Sequence, residues 1–196
     1  MYFDSAFRCL GTIDPQPLVR AVESFGEGAW DEFEARQQSF GPHRFTQTIP
    51  LVFDMDGRHT NPTIWPRFNQ IKPALEPVLD TIAKANPPEL GNGQDGYFIR
   101  IILTRLRAGA DIRPHKDDGF TLERSHRYHL ALNTNKLVEF EVDGQVRHFG
   151  AGEIWEINNR QTHAVRNRSE EGRVHMILDY VVPGEKIQDP TGLLIA

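Results

Sequence analysis

At 196 residues and a formal charge of -5, the chain is long enough for one domain with a full core and lacks the concentrated positive field of a nucleic-acid or anionic-membrane surface. Cys9 is its single cysteine, which excludes an internal disulfide and points to a reducing compartment. No run approaches the ~20 apolar residues that span a bilayer, and the opening MYFDSAFRCLG has neither the basic start nor the apolar stretch of a secretory signal, so a cytoplasmic location is expected.

Asp14-Pro15 is a helix start signal, and Leu18, Val19, Val22 and Phe25 recur behind it at helical spacing. A second amphipathic helix is expected over 66–86, with Ile71, Leu75, Val78, Leu79 and Ile82 on its apolar face; Pro73 and Pro77 inside it require a kink or a late start. PPELGNG then ends it in a loop. Residues 1–96 form a mixed, helix-containing support region.

From residue 97 the texture changes to short β-type runs: YFIRIILTRL, RYHLALN, KLVEFEV, QVRHF, EIWEI, THAVRN and RVHMILDYVV. Asp143-Gly144 between two of them signals a type I′ hairpin, and Gly150-Ala151-Gly152 marks another tight connection. Many short strands joined by turns predict a mainly β fold with flanking helices: a sandwich or jelly roll over 97–182, the N-terminal helices packed on one sheet, and 183–196 as the C-terminal tail of the same single domain.

Strand side chains alternate faces, so parity sorts them. Tyr128, Leu130 and Leu132 share an apolar face while Arg127 and His129 point the other way; Val174, Met176, Leu178 and Tyr180 oppose Arg173 and His175. Thr104 stands in line with Ile102 and Leu106. Two readings fit the polar faces: the solvated side of an ordinary antiparallel sheet, or the wall of a pocket inside a jelly roll.

A metal site favours the pocket. Iron(II) that activates dioxygen needs few protein ligands, and two imidazoles with one carboxylate leave positions open. In RPHKDDG, His115 and Asp117 are two apart and point the same way in an extended segment; Asp118 has the opposite parity. His163, opening a later strand, is the best candidate for the third ligand. Arg173, ten residues further on, offers a planar fork for the far carboxylate of a dicarboxylate. His126, His148 and His175 are expected at the surface or just behind the site, Asp179 as a buried polar residue holding a loop, and Trp155 as a core residue.

The runs PHKDDG, RYHLAL and GEIWEINNRQTHAVRNRSEEGRVHMILDYV resemble the aspartyl/asparaginyl β-hydroxylase family of iron(II)/2-oxoglutarate oxygenases, over roughly residues 97–182. The resemblance implies a cupin-like double-stranded β-helix core. It implies Fe(II) held by His115, Asp117 and His163, the 2-oxoglutarate C5 carboxylate held by Arg173 with Thr104, and Arg127 and His129 near the C1 carboxylate or the substrate. The implied activity is a dioxygenase that uses O2 to hydroxylate an sp3 carbon, releasing succinate and CO2, with no side chain acting as nucleophile or general base. Asp117 is present, as in the bacterial proline hydroxylases of that family. This argues against a halogenase, which needs that coordination position, and against the animal enzymes' peptidyl substrates.

The substrate expected is a free amino acid or small derivative. Arg105, Arg107, Arg113, Lys116, Arg124 and Arg127 could receive its carboxylate, and Arg58, His59 and Trp65 could form a lid; ordinary solvated surface is the competing account of each. A non-catalytic jelly roll that binds a metal or small anion, as a sensor or store, stays open, as does a zinc hydrolase with the same ligands.

Overall fold

The computed structural model of the protein describes residues 5–34, 41–58, 61–188 and 194–195. Its larger sheet is antiparallel, in the order β1 (Phe7–Thr12), β9 (Glu153–Ile157), β6 (His126–Asn133), β11 (Arg173–Val181), β4 (Tyr97–Leu106), β2 (Thr46–Phe53) and β3 (Thr63–Ile64). A smaller antiparallel sheet runs β5 (Asp111–His115), β10 (His163–Asn167), β7 (Val138–Val142) and β8 (Gln145–Arg147). In the tail, β12 (Ile187–Gln188) pairs with β13 (Leu194–Ile195).

The alternation in each strand builds the layers. Tyr128, Leu130, Met176 and Leu178 face outward from the larger sheet and are buried against α1 (Gln16–Glu23) and α2 (Pro66–Ala85), whose Leu18, Ile71, Leu75 and Val78 are fully covered. The opposite face meets the smaller sheet, where Leu106 and Ala131 pack with Ile112, Phe140 and Val165. The jelly-roll expectation therefore holds, with the helices on one sheet and the sandwich interior on its other side. Among the described residues no helix is long and apolar enough to cross a membrane.

Three features differ from the sequence expectation. α2 runs unbroken through Pro73 and Pro77, so no late start is needed; both prolines lie on its exposed side, where water can serve the carbonyls that lose their N–H donors. The support region also supplies strands. β1 is obscured in the sequence by Gly11, which lies where the register with β9 shifts, and β2 by Pro50, beside another register shift and away from the two residues that β3 pairs. Finally, His126 is buried rather than superficial. Asp143 and Gly144 both have positive φ, 50° and 74°, as the type I′ turn requires.

His126 is the centre of a buried ionic lock. Its Nδ1 bonds the fully buried Glu156 at 2.7 Å and its Nε2 bonds Glu185 at 2.8 Å, while Arg8 Nε donates to Glu156 at 2.6 Å. The lock joins β1, β9, β6 and the segment after β11. Burial alone would lower the His126 pKa, but the two carboxylates raise it above its ordinary value. A raised folded pKa contributes stability that is complete below the unfolded value, about 6.5, and is lost as pH climbs through the folded one. His126→Gln should therefore flatten the decline of folding stability above about pH 6.5, which denaturant titrations across pH will read. Gly152 tests the opposite end of the β1–β9 pairing sterically: at φ +82° its added Cβ would collide with the Ile13 carbonyl oxygen. Gly152→Ala should cost about 2 kcal/mol or more, read as a lower denaturant midpoint.

Candidate metal centre and its cavity

The pairing of β5 with β10 sets His163 directly opposite His115, their ring centroids 4.3 Å apart. The register shifts just beyond, between His163 and Val165, and such a bulge re-aims side chains at a strand end. Asp117 leaves β5 two residues later, its N–H donating to the Asn159 carbonyl at 3.3 Å. Its Oδ2 lies 3.6 Å from His163 Nε2, and its Oδ1 4.0 Å from His115 Nε2. One ligand atom from each of the three residues falls within 4.8 Å of the others.

The imidazoles are oriented from behind. His115 Nδ1 donates to the Arg113 carbonyl at 2.7 Å and His163 Nδ1 to that of Gln161 at 3.1 Å, which leaves both Nε2 lone pairs directed at Asp117. Burial, and then the His163 ring, lower the His115 pKa and favour its neutral, ligating form. Burial would raise the Asp117 carboxyl; the Arg127 guanidinium, with His163, His115 and His43, holds it far below the usual carboxylate range. Two imidazole nitrogens and an anionic oxygen make a donor set suited to a divalent first-row metal.

Arg127 is held on both sides: Nη1 bonds Asp117, while Nε and Nη2 bond the two oxygens of Asp179 at 2.8 Å. Asp179 is thus buried as expected, but it holds Arg127 rather than a loop. Arg173, 1% exposed, meets no carboxylate among the described residues, and desolvation pushes its pKa down to about 9. It lines a narrow cavity with Thr104, His129, His115, His163 and Arg127, walled by Ile112, Phe140, Val165 and Ile177. Thr104 Oγ1 donates to the His175 carbonyl at 3.3 Å. His129 is buried, and burial followed by the charges of Arg173 and Arg127 drives its pKa well below normal.

The mouth beside Asp117 is lined by His43, Arg100, Lys116, Asp118, Leu122 and Arg127. Asp118 is exposed there and stands outside the ligand cluster. Trp65, Arg124 and Arg113 line neither space. Trp65 begins α2 with its ring against Phe33; Arg124 folds over Phe120 at 4.2 Å and donates to its carbonyl; Arg113 is exposed. His59 lies outside the described residues. His175 is buried, His148 half-buried with Nδ1 3.1 Å from the Val138 carbonyl, and Trp155 packs on Phe149.

Two lining residues escaped the sequence reading. Arg100 shares the parity of Ile102 and Thr104, so the rule that singled out Thr104 could have found it; it pairs with Asp54 at 2.6 Å and reaches Asp179 at 3.9 Å. His43, whose ring meets that of His115 edge-on at 5.4 Å, comes from the turn Gly41–His43, for which no periodicity exists.

Residues 81–183 match the aspartyl/asparaginyl beta-hydroxylase family. The chain is 31% identical to an L-proline cis-4-hydroxylase of Rhizobium meliloti (strain 1021), over 87% of this chain and 54% of that protein. It is 24% identical to L-proline cis-3-hydroxylase 1 of a Streptomyces species, over 83% of this chain and 50% of that one. The chain spans about half the length of these curated relatives. Among solved structures, a Trichoplax adhaerens prolyl hydroxylase in complex with a hypoxia inducible factor peptide has the same fold, with a TM-score of 0.61 at 14% identity over 91% of this chain and 84% of that one. The matched segment carries every cavity side chain from Arg100 to Arg173, and the chain belongs to the aspartyl/asparaginyl β-hydroxylase family.

Proposed function

We propose that this protein is an iron(II)- and 2-oxoglutarate-dependent dioxygenase that hydroxylates an sp3 carbon of an amino acid or small amino-acid derivative, with release of succinate and CO2. The observation that carries the reading is the pairing, in one cavity, of a two-histidine, one-carboxylate cluster with a buried arginine that meets no carboxylate. Membership of the family supports it, as do the L-proline hydroxylases among its relatives.

His115, Asp117 and His163 would hold the metal, their rings steadied by the Arg113 and Gln161 carbonyls. Iron(II) bound there would supply the redox chemistry that couples O2 to oxidative decarboxylation of 2-oxoglutarate and to C–H hydroxylation. Arg127 keeps Asp117 ionised and fixed. Arg173 and Thr104 receive the C5 carboxylate; the guanidinium needs an anion at this depth, because a buried unpaired charge costs several kcal/mol. His129, uncharged, lies between that end and Arg127, beside the place for the C1 carboxylate. Ile112, Phe140, Val165 and Ile177 exclude water. At the mouth, Arg100 and Lys116 give a small carboxylate substrate a positive rim.

The test is 2-oxoglutarate turnover with iron(II) and oxygen across a panel of amino acids that includes L-proline. Succinate should form only with iron(II) and oxygen, faster with the true substrate, whose product is one oxygen heavier. Iron retained without succinate would replace this reading with non-catalytic metal binding, and turnover with zinc and no oxygen would replace it with a hydrolase. His115→Ala or His163→Ala should abolish iron binding and turnover together, read by metal analysis. Arg173→Ala should keep the iron yet raise the 2-oxoglutarate dissociation constant at least about 30-fold, the lower bound for losing one partner of a buried charge pair.

A further inference from the structure

Arg127 meets its two carboxylates in different ways. Asp179, directly across from it on β11 and fully buried, takes the side of the guanidinium with both oxygens: Nε donates to Oδ1 and Nη2 to Oδ2, each at 2.8 Å. Asp117 receives Nη1 at Oδ2. Among the described residues Arg127 makes no hydrogen bond to the other Asp117 oxygen, Oδ1, which lies 4.0 Å from His115 Nε2. Asp179 is in turn kept from a rival cation. Arg100 has its Nε 3.9 Å from Asp179 Oδ2, but it is bound by Asp54 at 2.6 and 2.8 Å.

A guanidinium matches a carboxylate best through two parallel bonds. Arg127 spends that grip on Asp179; released from it, the same grip could close on Asp117. A buried arginine–aspartate pair adds little stability over apolar residues of similar size. This pair continues into a side chain of the His115, Asp117 and His163 cluster, so what it contributes is placement.

We propose that Asp179 is a positioning residue for the metal centre: by taking the fork of Arg127, it confines that guanidinium to one oxygen of Asp117 and keeps the other oxygen for the ion. The proposal rests on the reading of His115, Asp117 and His163 as metal ligands. With Asp179 neutralised, Arg127 turns its fork onto Asp117 and competes with the metal. With Arg127 removed as well, the competitor is gone.

Calorimetric titration of cobalt(II), which suits the same nitrogen and oxygen ligands as iron(II), into the metal-free protein tests this, with the melting temperature of each metal-free form. Asp179→Asn should raise the cobalt dissociation constant about 10–100-fold. Arg127→Met added to Asp179→Asn should bind at least about fivefold more tightly than the single variant. Gly152→Ala, which lowers stability away from the cluster, should bind cobalt as the wild type does. Should Asp179→Asn not fold, Asp54→Asn is the gentler form: it frees Arg100 to draw Asp179 off Arg127, and should weaken binding about threefold to tenfold. Wild-type affinity in a folded Asp179→Asn protein, or in Asp54→Asn where the former does not fold, overturns the proposal. So does a double variant that binds no better than the single one. Gly152→Ala weakened as much as Asp179→Asn would make metal affinity a reflection of stability and overturn it too. A wild-type protein that binds no cobalt(II) would instead remove the underlying reading of the three ligands.

Discussion

Charge buried between two sheets is the constraint that organises this molecule. A carboxylate in a low-dielectric interior either takes up a proton or finds a cation. Asp117 finds Arg127, Arg127 is held by Asp179, Asp179 lies near Arg100, and Arg100 is bound by Asp54. Three carboxylates face two guanidiniums along this chain, an excess of one negative charge. The chain ends in a carboxylate on each side, and at the Asp117 end the His115 and His163 imidazoles converge, so that end offers the donor set for a cation.

The register of three central strands lays these charges out in order. Across β6, β11 and β4, Arg127 pairs with Asp179 and Asp179 with Arg100; the next inward-facing level holds His129, Ile177 and Ile102; the next holds Ala131, His175 and Thr104. Arg173, opposite Leu106, closes the series. Two levels that mix Ile177, Ile102 and Ala131 with His129, His175 and Thr104 thus separate an arginine held by two carboxylates from one that meets none among the described residues.

Such an interior is expensive, and the opposite face of the same sheet offsets the cost. The helices and outward side chains of β2, β4, β6 and β11 form one continuous apolar core with fully covered residues on both sides. The His126 lock, at the corner where β1, β6 and β9 meet the segment after β11, adds a second buried ionic group away from the cavity. The inner face thus carries unpartnered polar atoms beside its own apolar cluster of Leu106, Ile112, Ala131, Phe140 and Val165.

The amino-acid order alone determined the strands from Tyr97 to Val181 and their two faces, apart from β5, which it showed only as an extended segment around His115, because the period of two is local chemistry and needs no partner strand. It also made legible the His115 and Asp117 pair, by parity. It did not reveal β1 or β2, whose Gly11 and Pro50 interrupt the local signal at points where the register shifts, nor that Trp65, Arg113 and Arg124 lie away from the cavity. Tertiary structure decided which charges meet. That Asp179 takes Arg127, that His163 stands across from His115 and that Arg173 is left among histidines are consequences of strand order and register, and pairings between residues tens of positions apart arise from burial of the whole sheet rather than from any local preference.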